Sequence, residues 1–260
     1  MPDEGAPRVK IVCFDFDNTL LLSERCKQEV MREVVRPYPG GEEVIAGVCI
    51  DARLAPPGVA VTRHTIFRDV ARGLVAKGTV CDAEEEALGR RLCDKFTVLA
   101  EKRLMEAEEV PGAVELLAHL SAHGVPCYIN TATPQEPITA VVQKLGWTRY
   151  FAGVLGTPRS KLENLHTAAR DAGLPSEGNH LVVMVGDGDN DCRAACDFGC
   201  PFIGVELPGH EIENAGHAFS APCVSVVRDM HDAGVVLCSM LGIPPVGSAS
   251  RSGARAAKEE

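Results

Sequence analysis

No apolar run in this sequence approaches the length of a bilayer span. The longest are of the size of LVVMV at 181–185, against the roughly 20 residues a membrane helix needs. An excess of base is lacking too. Asp and Glu outnumber Lys and Arg by 36 to 26, for a net charge of −10, so the basic footprint of a protein that holds nucleic acid or an anionic membrane surface is missing. A small anionic substrate asks only for local positive charge and stays open. The opening residues MPDEGAPRVK carry acids and prolines where a secretory signal has an apolar stretch, and the expected location is the cytoplasm. No internal repeat is visible. Cysteine is plentiful, but its count of 11 is odd and most lie in apolar segments such as IVCFDF and VPCYIN. Reduced thiols are therefore expected. Cys192, Cys196 and Cys200 are spaced as on one helix face. Core packing is the expected role, since a zinc site asks for a fourth ligand and a tighter pattern.

From residue 110 onward, short β-rich apolar runs alternate with amphipathic stretches, the pattern of βαβ units on a parallel sheet. The expected strands are 9–14, 125–130, 150–155, 181–185, 201–205 and one near 224–227. Helices are expected at about 112–123, 135–145, 160–172, 189–199 and 229–241, several closed by glycine. The stretch 23–109 breaks this rhythm with long charged amphipathic runs and no strand pair, and it reads as a helical insertion. Within it, 49–62 is a loop rich in proline and glycine. The expected organisation is an α/β, doubly wound parallel-sheet core from 1–22 and 110–243 and an inserted α-helical domain at 23–109. A polar tail at 244–260 is expected to be disordered.

Four places carry candidate chemistry. The first strand runs into DFDNTL, which puts Asp15 and Asp17 at a strand's carboxyl end, where open α/β sheets place their sites. Neighbouring acids repel unless a cation sits among them, and magnesium, which takes hard oxygen ligands, suits them; a capping or loop role is the other reading. The run GDGDND at 186–191 follows a second apolar strand, so that Asp187 and Asp191 can both face the site, with glycines allowing close backbone approach. An EF-hand loop is excluded, because Cys192 and Phe198 stand where that loop needs Gly and Glu. Thr131 follows a third strand and offers a hydroxyl to a phosphoryl oxygen. Lys161, at the start of a helix after a fourth, offers positive charge, or else is a solvated surface lysine.

In order and spacing, DFDNT, INTAT, the lysine and GDGDND resemble the four motifs of the haloacid dehalogenase superfamily over residues 9–206. The insertion after the first motif matches the helical cap of members similar to phosphoglycolate phosphatase and beta-phosphoglucomutase. The resemblance implies a magnesium-dependent phosphatase in which Asp15 is the nucleophile and Asp17 the general acid/base. It implies that Thr131 and Lys161 bind phosphoryl oxygens, and that Asp187 and Asp191 join Asp15 and Asp17 around Mg2+. The partner so implied is a small phosphorylated metabolite. A phosphomutase of the same superfamily uses the same acids and stays open. A phospho-acceptor module similar to a receiver domain fits less well, having half the length and no cap, and a non-catalytic member would be expected to lose one of the acids. Arg63, with His64 and Arg68 nearby, is placed like the cap arginine that meets a distal anionic group of the substrate; a solvated helix face is its alternative. Trp147 and Phe151 are expected in packing.

Overall fold

The computed structural model describes residues 9–53, 62–208 and 223–247. Most of the loop at 49–62 and all of the tail beyond 247 lie outside the described residues. Among those described, no helix is long and apolar enough to cross a membrane.

The chain divides into two compact units. One runs to Leu21, then takes Glu109–Thr131 and the chain from Trp147 onward; the other holds Leu22–Glu108 and Ala132–Gly146.

The first unit is an α/β sheet domain. Its strands are β1 (Ile11–Phe14), β2 (Cys127–Pro134), β3 (Gly153–Thr157), β4 (Val182–Gly186), β5 (Phe202–Val205) and β6 (Cys223–Val227), in the order β3-β2-β1-β4-β5-β6. The sheet is parallel, with Phe14 opposite Ile129 of β2 on one side and Val185 of β4 on the other. Every residue of β1 and β4 is buried, as continuous apolar strands must be when helices cover both faces. Ile11 and Cys13 pack with Leu165, Ala168, Ala195 and Phe198 on one face. Those residues come from α7 (Lys161–Asp171) and α8 (Asp189–Phe198), while α5 (Ala113–Ala122) and α9 (Met230–Leu241) contact each other.

Two expectations need correction. β2 continues through Pro134, so Thr131 lies within a strand and not after it. Helix α8 closes at Gly199, whose φ of 84° is left-handed, so Cys200 falls past the helix end. Cys192 and Cys200 are buried but Cys196 is exposed, so the three do not form one face. Burial lifts the Cys200 thiol to about 12, the behaviour of a core residue.

The second unit is built from helices, with α1 (Glu24–Val35), α2 (Gly41–Arg53), α3 (Arg63–Ala76) and α4 (Glu85–Leu104) sharing one core. Val30 and Val34, Ile45, Phe67, Val70 and Leu74, and Leu88, Leu92 and Phe96 meet there, each set at the three- and four-residue spacing of one helix face. Phe67 and Phe96 stack at 5.2 Å between ring centroids. The sixth helix, α6 (Gln135–Lys144), belongs to this unit as well, with Lys144 paired to Glu101 of α4. The sequence pattern alone groups those residues with the sheet.

Candidate active site

The strand order reverses at β1, with β2 on one side and β4 on the other. Open α/β sheets bind their ligands at such a reversal, outside the carboxyl ends of the strands. Asp15 follows β1 there, and its backbone N–H donates to the carbonyl of Val185 at 2.8 Å, which fixes it beside β4. The chain then folds back sharply. Leu20 and Leu21 both donate to the carbonyl of Phe16, Asn18 donates to that of Leu21, and Asn18 adopts a left-handed φ of 52°. Asn tolerates that region better than most residues. Asp17 is held in this turn, half-buried.

On the β4 side, Asp187 follows Gly186, and Asp191 lies in the first turn of α8. The Gly188 N–H donates to Asp191 Oδ2 at 3.2 Å, the return arm of a capping box. Gly186 is required by this packing: a Cβ there would stand 2.5 Å from Asp191 Cγ. Asp15, Asp187 and Asp191 come together so that one carboxylate oxygen of each lies within 4.8 Å of the others. Asp17 is outside that group. Thr19 donates to Asp187 Oδ1 at 3.5 Å.

Lys161 opens α7 behind a full capping box made by Ser160 and Glu163. Its side chain is 9% exposed, with Nζ 3.0 Å from Asp15 Oδ1 and 2.5 Å from Asp191 Oδ1. The reading of Lys161 as a solvated surface lysine is thereby excluded. Burial by itself would depress its pKa, but the carboxylates of Asp15 and Asp191 reverse this and hold the ammonium charged. Thr131 is buried two residues beyond the Phe14–Ile129 pairing.

Three acids facing one lysine leave the site short of positive charge. Burial, then repulsion from Asp15 and Asp191, pushes the Asp187 carboxyl well above its ordinary range. Burial likewise lifts Asp191 to about 7, against the pull of Lys161. Buried carboxylates in this state fit a hard divalent cation, which takes oxygen ligands and supplies the missing charge.

Arg63, in the helical unit, begins α3 behind a Thr62 cap. Its Nη1 donates to Thr97 at 3.3 Å and its guanidinium lies 5.4 Å from the Phe96 ring centroid. Of its expected companions, Arg68 pairs with Asp69 and His64 Nδ1 is 3.3 Å from Cys93 Sγ. The helical unit also holds a cavity of about 390 Å3 lined in part by Gln28, Met31, Arg32, Ile45, Cys49 and Ile66, which no sequence motif announces. Trp147 is buried against Phe16 as expected of a packing residue.

A profile of haloacid dehalogenase-like hydrolases matches residues 9–199. The chain belongs to the haloacid dehalogenase-like hydrolases. This hydrolase is 28% identical over 202 residues to a phosphoglycolate phosphatase of Rhodospirillum rubrum, covering 75% of its own length and 78% of the relative's. A phosphoglycolate phosphatase of Escherichia coli is 26% identical over 213 residues, or 76% of this chain and 81% of that one. In fold it is similar to a family hydrolase from Deinococcus radiodurans solved with bound phosphate and sodium, at a TM-score of 0.60 and 17% identity, covering 92% and 100% of the two chains. Within the haloacid dehalogenase-like hydrolases, it is an enzyme of the phosphatase kind.

Proposed function

We propose that the chain is a magnesium-dependent phosphomonoester hydrolase of the cytoplasm that acts on a small phosphorylated metabolite by way of a phosphoryl group carried on Asp15. The observation that carries this reading is the buried meeting of Asp15, Asp187 and Asp191 with Lys161 at the sheet reversal. In this reading a carboxylate oxygen of Asp15 attacks phosphorus in line, the bond to the leaving oxygen breaks, and Asp17 gives that oxygen a proton. Asp17 then takes a proton from water as it attacks the aspartyl-phosphate, releasing phosphate and restoring Asp15. One group serving first as acid and then as base divides a difficult displacement into two steps. Lys161 and the Thr131 hydroxyl hold phosphoryl oxygens and offset their charge, the main service of any phosphoryl-transfer site. Magnesium would be held by Asp15, Asp187 and Asp191 with Asp17 beside them, and would supply further neutralisation of the transferring group.

The helical unit is read as a cap that selects the substrate, with Arg63 meeting a remote anionic group. The names of the relatives make phosphoglycolate, which carries a carboxylate beside its phosphate, the first substrate to try. The test is hydrolysis of phosphoglycolate and of a generic aryl phosphate with and without Mg2+, by the wild type and Asp15→Asn. Turnover that needs a divalent cation and vanishes in the variant supports the reading. Undiminished turnover in chelator, or by Asp15→Asn, overturns it.

A further inference from the structure

Two asparagines, one in the INTAT run beside Thr131 and one in no motif, lie fully buried behind the site. Asn130 is in β2 and Asn164 in α7, and both are 0% exposed. Asn164 Nδ2 donates to Asn130 Oδ1 at 3.0 Å and to the Leu155 carbonyl at 3.2 Å. Its Oδ1 accepts from Arg159 Nε at 3.0 Å. Asn130 Nδ2 in turn donates to the backbone carbonyl of Lys161 at 3.0 Å and approaches Met184 Sδ at 3.7 Å. A strand interior and a helix interior both disfavour asparagine, and an apolar residue of similar volume would fill either place without needing partners. The pair nevertheless has every polar atom satisfied, as a buried amide network must to be tolerated.

The connectivity is informative. Through these two amides, β2, the middle of β3 and the loop residue Arg159 are tied to one another and to the carbonyl of Lys161, the residue whose Nζ reaches Asp15 and Asp191. The capping box of Ser160 fixes the direction of α7, and the Asn130 bond ties Lys161's own backbone to the sheet. We infer that Asn130 and Asn164 are positioning residues that set the reach of Lys161 into the phosphoryl site. The inference rests on the proposed role of Lys161.

Displacements of about 1 Å at a reacting centre cost on the order of 100-fold in rate, so loosening this tie should act on turnover more than on binding. The double substitution Asn130→Leu with Asn164→Leu is the sharpest probe. Replacing both members orphans neither amide, but the carbonyls of Leu155 and Lys161 and the Nε of Arg159 each lose one partner, so the unfolding midpoint should fall by no more than about 10 °C. On an aryl phosphate, kcat should fall by roughly 10- to 100-fold with KM changed by less than about 3-fold. The single variant Asn130→Ala should behave alike, and in a Lys161→Ala background it should cost less than about 3-fold more, because a residue acting through Lys161 has nothing left to position. Equal losses in both backgrounds, full turnover by the leucine pair, or a rate loss that merely follows a fall in midpoint would each overturn the inference. Full turnover by Lys161→Ala alone would instead remove the functional reading on which it rests.

Discussion

The Nζ of Lys161 stands 3.0 Å from Oδ1 of Asp15. The two residues lie far apart in the sequence, one after β1 and the other opening α7, and both side chains are nearly closed to solvent. Breaking a buried pair leaves an uncompensated charge and costs about 3 kcal/mol or more. Lys161→Met is therefore expected to lower stability by that order, measured by urea unfolding at pH 7, and to lose activity as well. A Lys161→Met protein as stable as wild type would contradict this account of the pair.

The acids also set a pH dependence. A carboxyl whose folded pKa is raised holds its proton in the folded state after the unfolded chain has given it up. It therefore contributes stability that is lost as pH rises from the unfolded value near 4 to the folded one, about 7 for Asp191. Metal-free protein should lose stability from pH 5 to pH 8, and Asp191→Asn should flatten that slope. Mg2+ should raise the midpoint more at pH 8 than at pH 5.5, since it binds the ionised acids and stabilises by mass action. An equal magnesium shift at both pH values, read by thermal unfolding, contradicts the site.

Gly186 gives a steric prediction. An alanine Cβ would press on Asp191 Cγ at 2.5 Å, and Asp191, short and fully buried, has no room to swing. Gly186→Ala should weaken magnesium binding by about 10-fold or more, measured by calorimetry. Gly124→Ala serves as the control: it meets nothing within 4 Å, though its φ of 68° carries a strain of about 1 kcal/mol. It should keep wild-type affinity.

Arg63 lies over Phe96, and Arg63→Ala should cost about 0.5–1 kcal/mol from that contact alone. If the guanidinium also meets a distal anion, the variant should lose preference for phosphoglycolate over an uncharged aryl phosphate while keeping aryl phosphate turnover. Unchanged ratios of kcat/KM would return Arg63 to a packing role.

The sheet domain was legible because its periodicities are strong. Apart from the end of β2, which runs four residues past its expected bound, the strands and glycine-closed helices fall within three residues of the expected bounds, and DFDNT and GDGDND sit at strand ends that can be recognised without coordinates. The pairing of Asn130 with Asn164 was not legible, because a buried amide has meaning through its partner, here 34 residues away. The grouping of α6 with the helical unit was hidden for a similar reason. Its apolar stripe has the same period whichever core it joins, and its contacts with α4, Lys144 on Glu101 among them, show the choice. Cys192, Cys196 and Cys200 have helical spacing, yet the left-handed Gly199 ends α8 one residue before the third.

The claim that Asp15 carries the phosphoryl group is tested most directly by trapping it. Asp17→Asn, slowed in the step that breaks down the intermediate, should be mixed with substrate and Mg2+, quenched in acid, reduced with borohydride and mapped by peptide mass spectrometry. The account predicts homoserine at position 15, the product of reducing an aspartyl-phosphate. Reduction at another residue, or a phosphoryl group retained elsewhere in the chain, would contradict it.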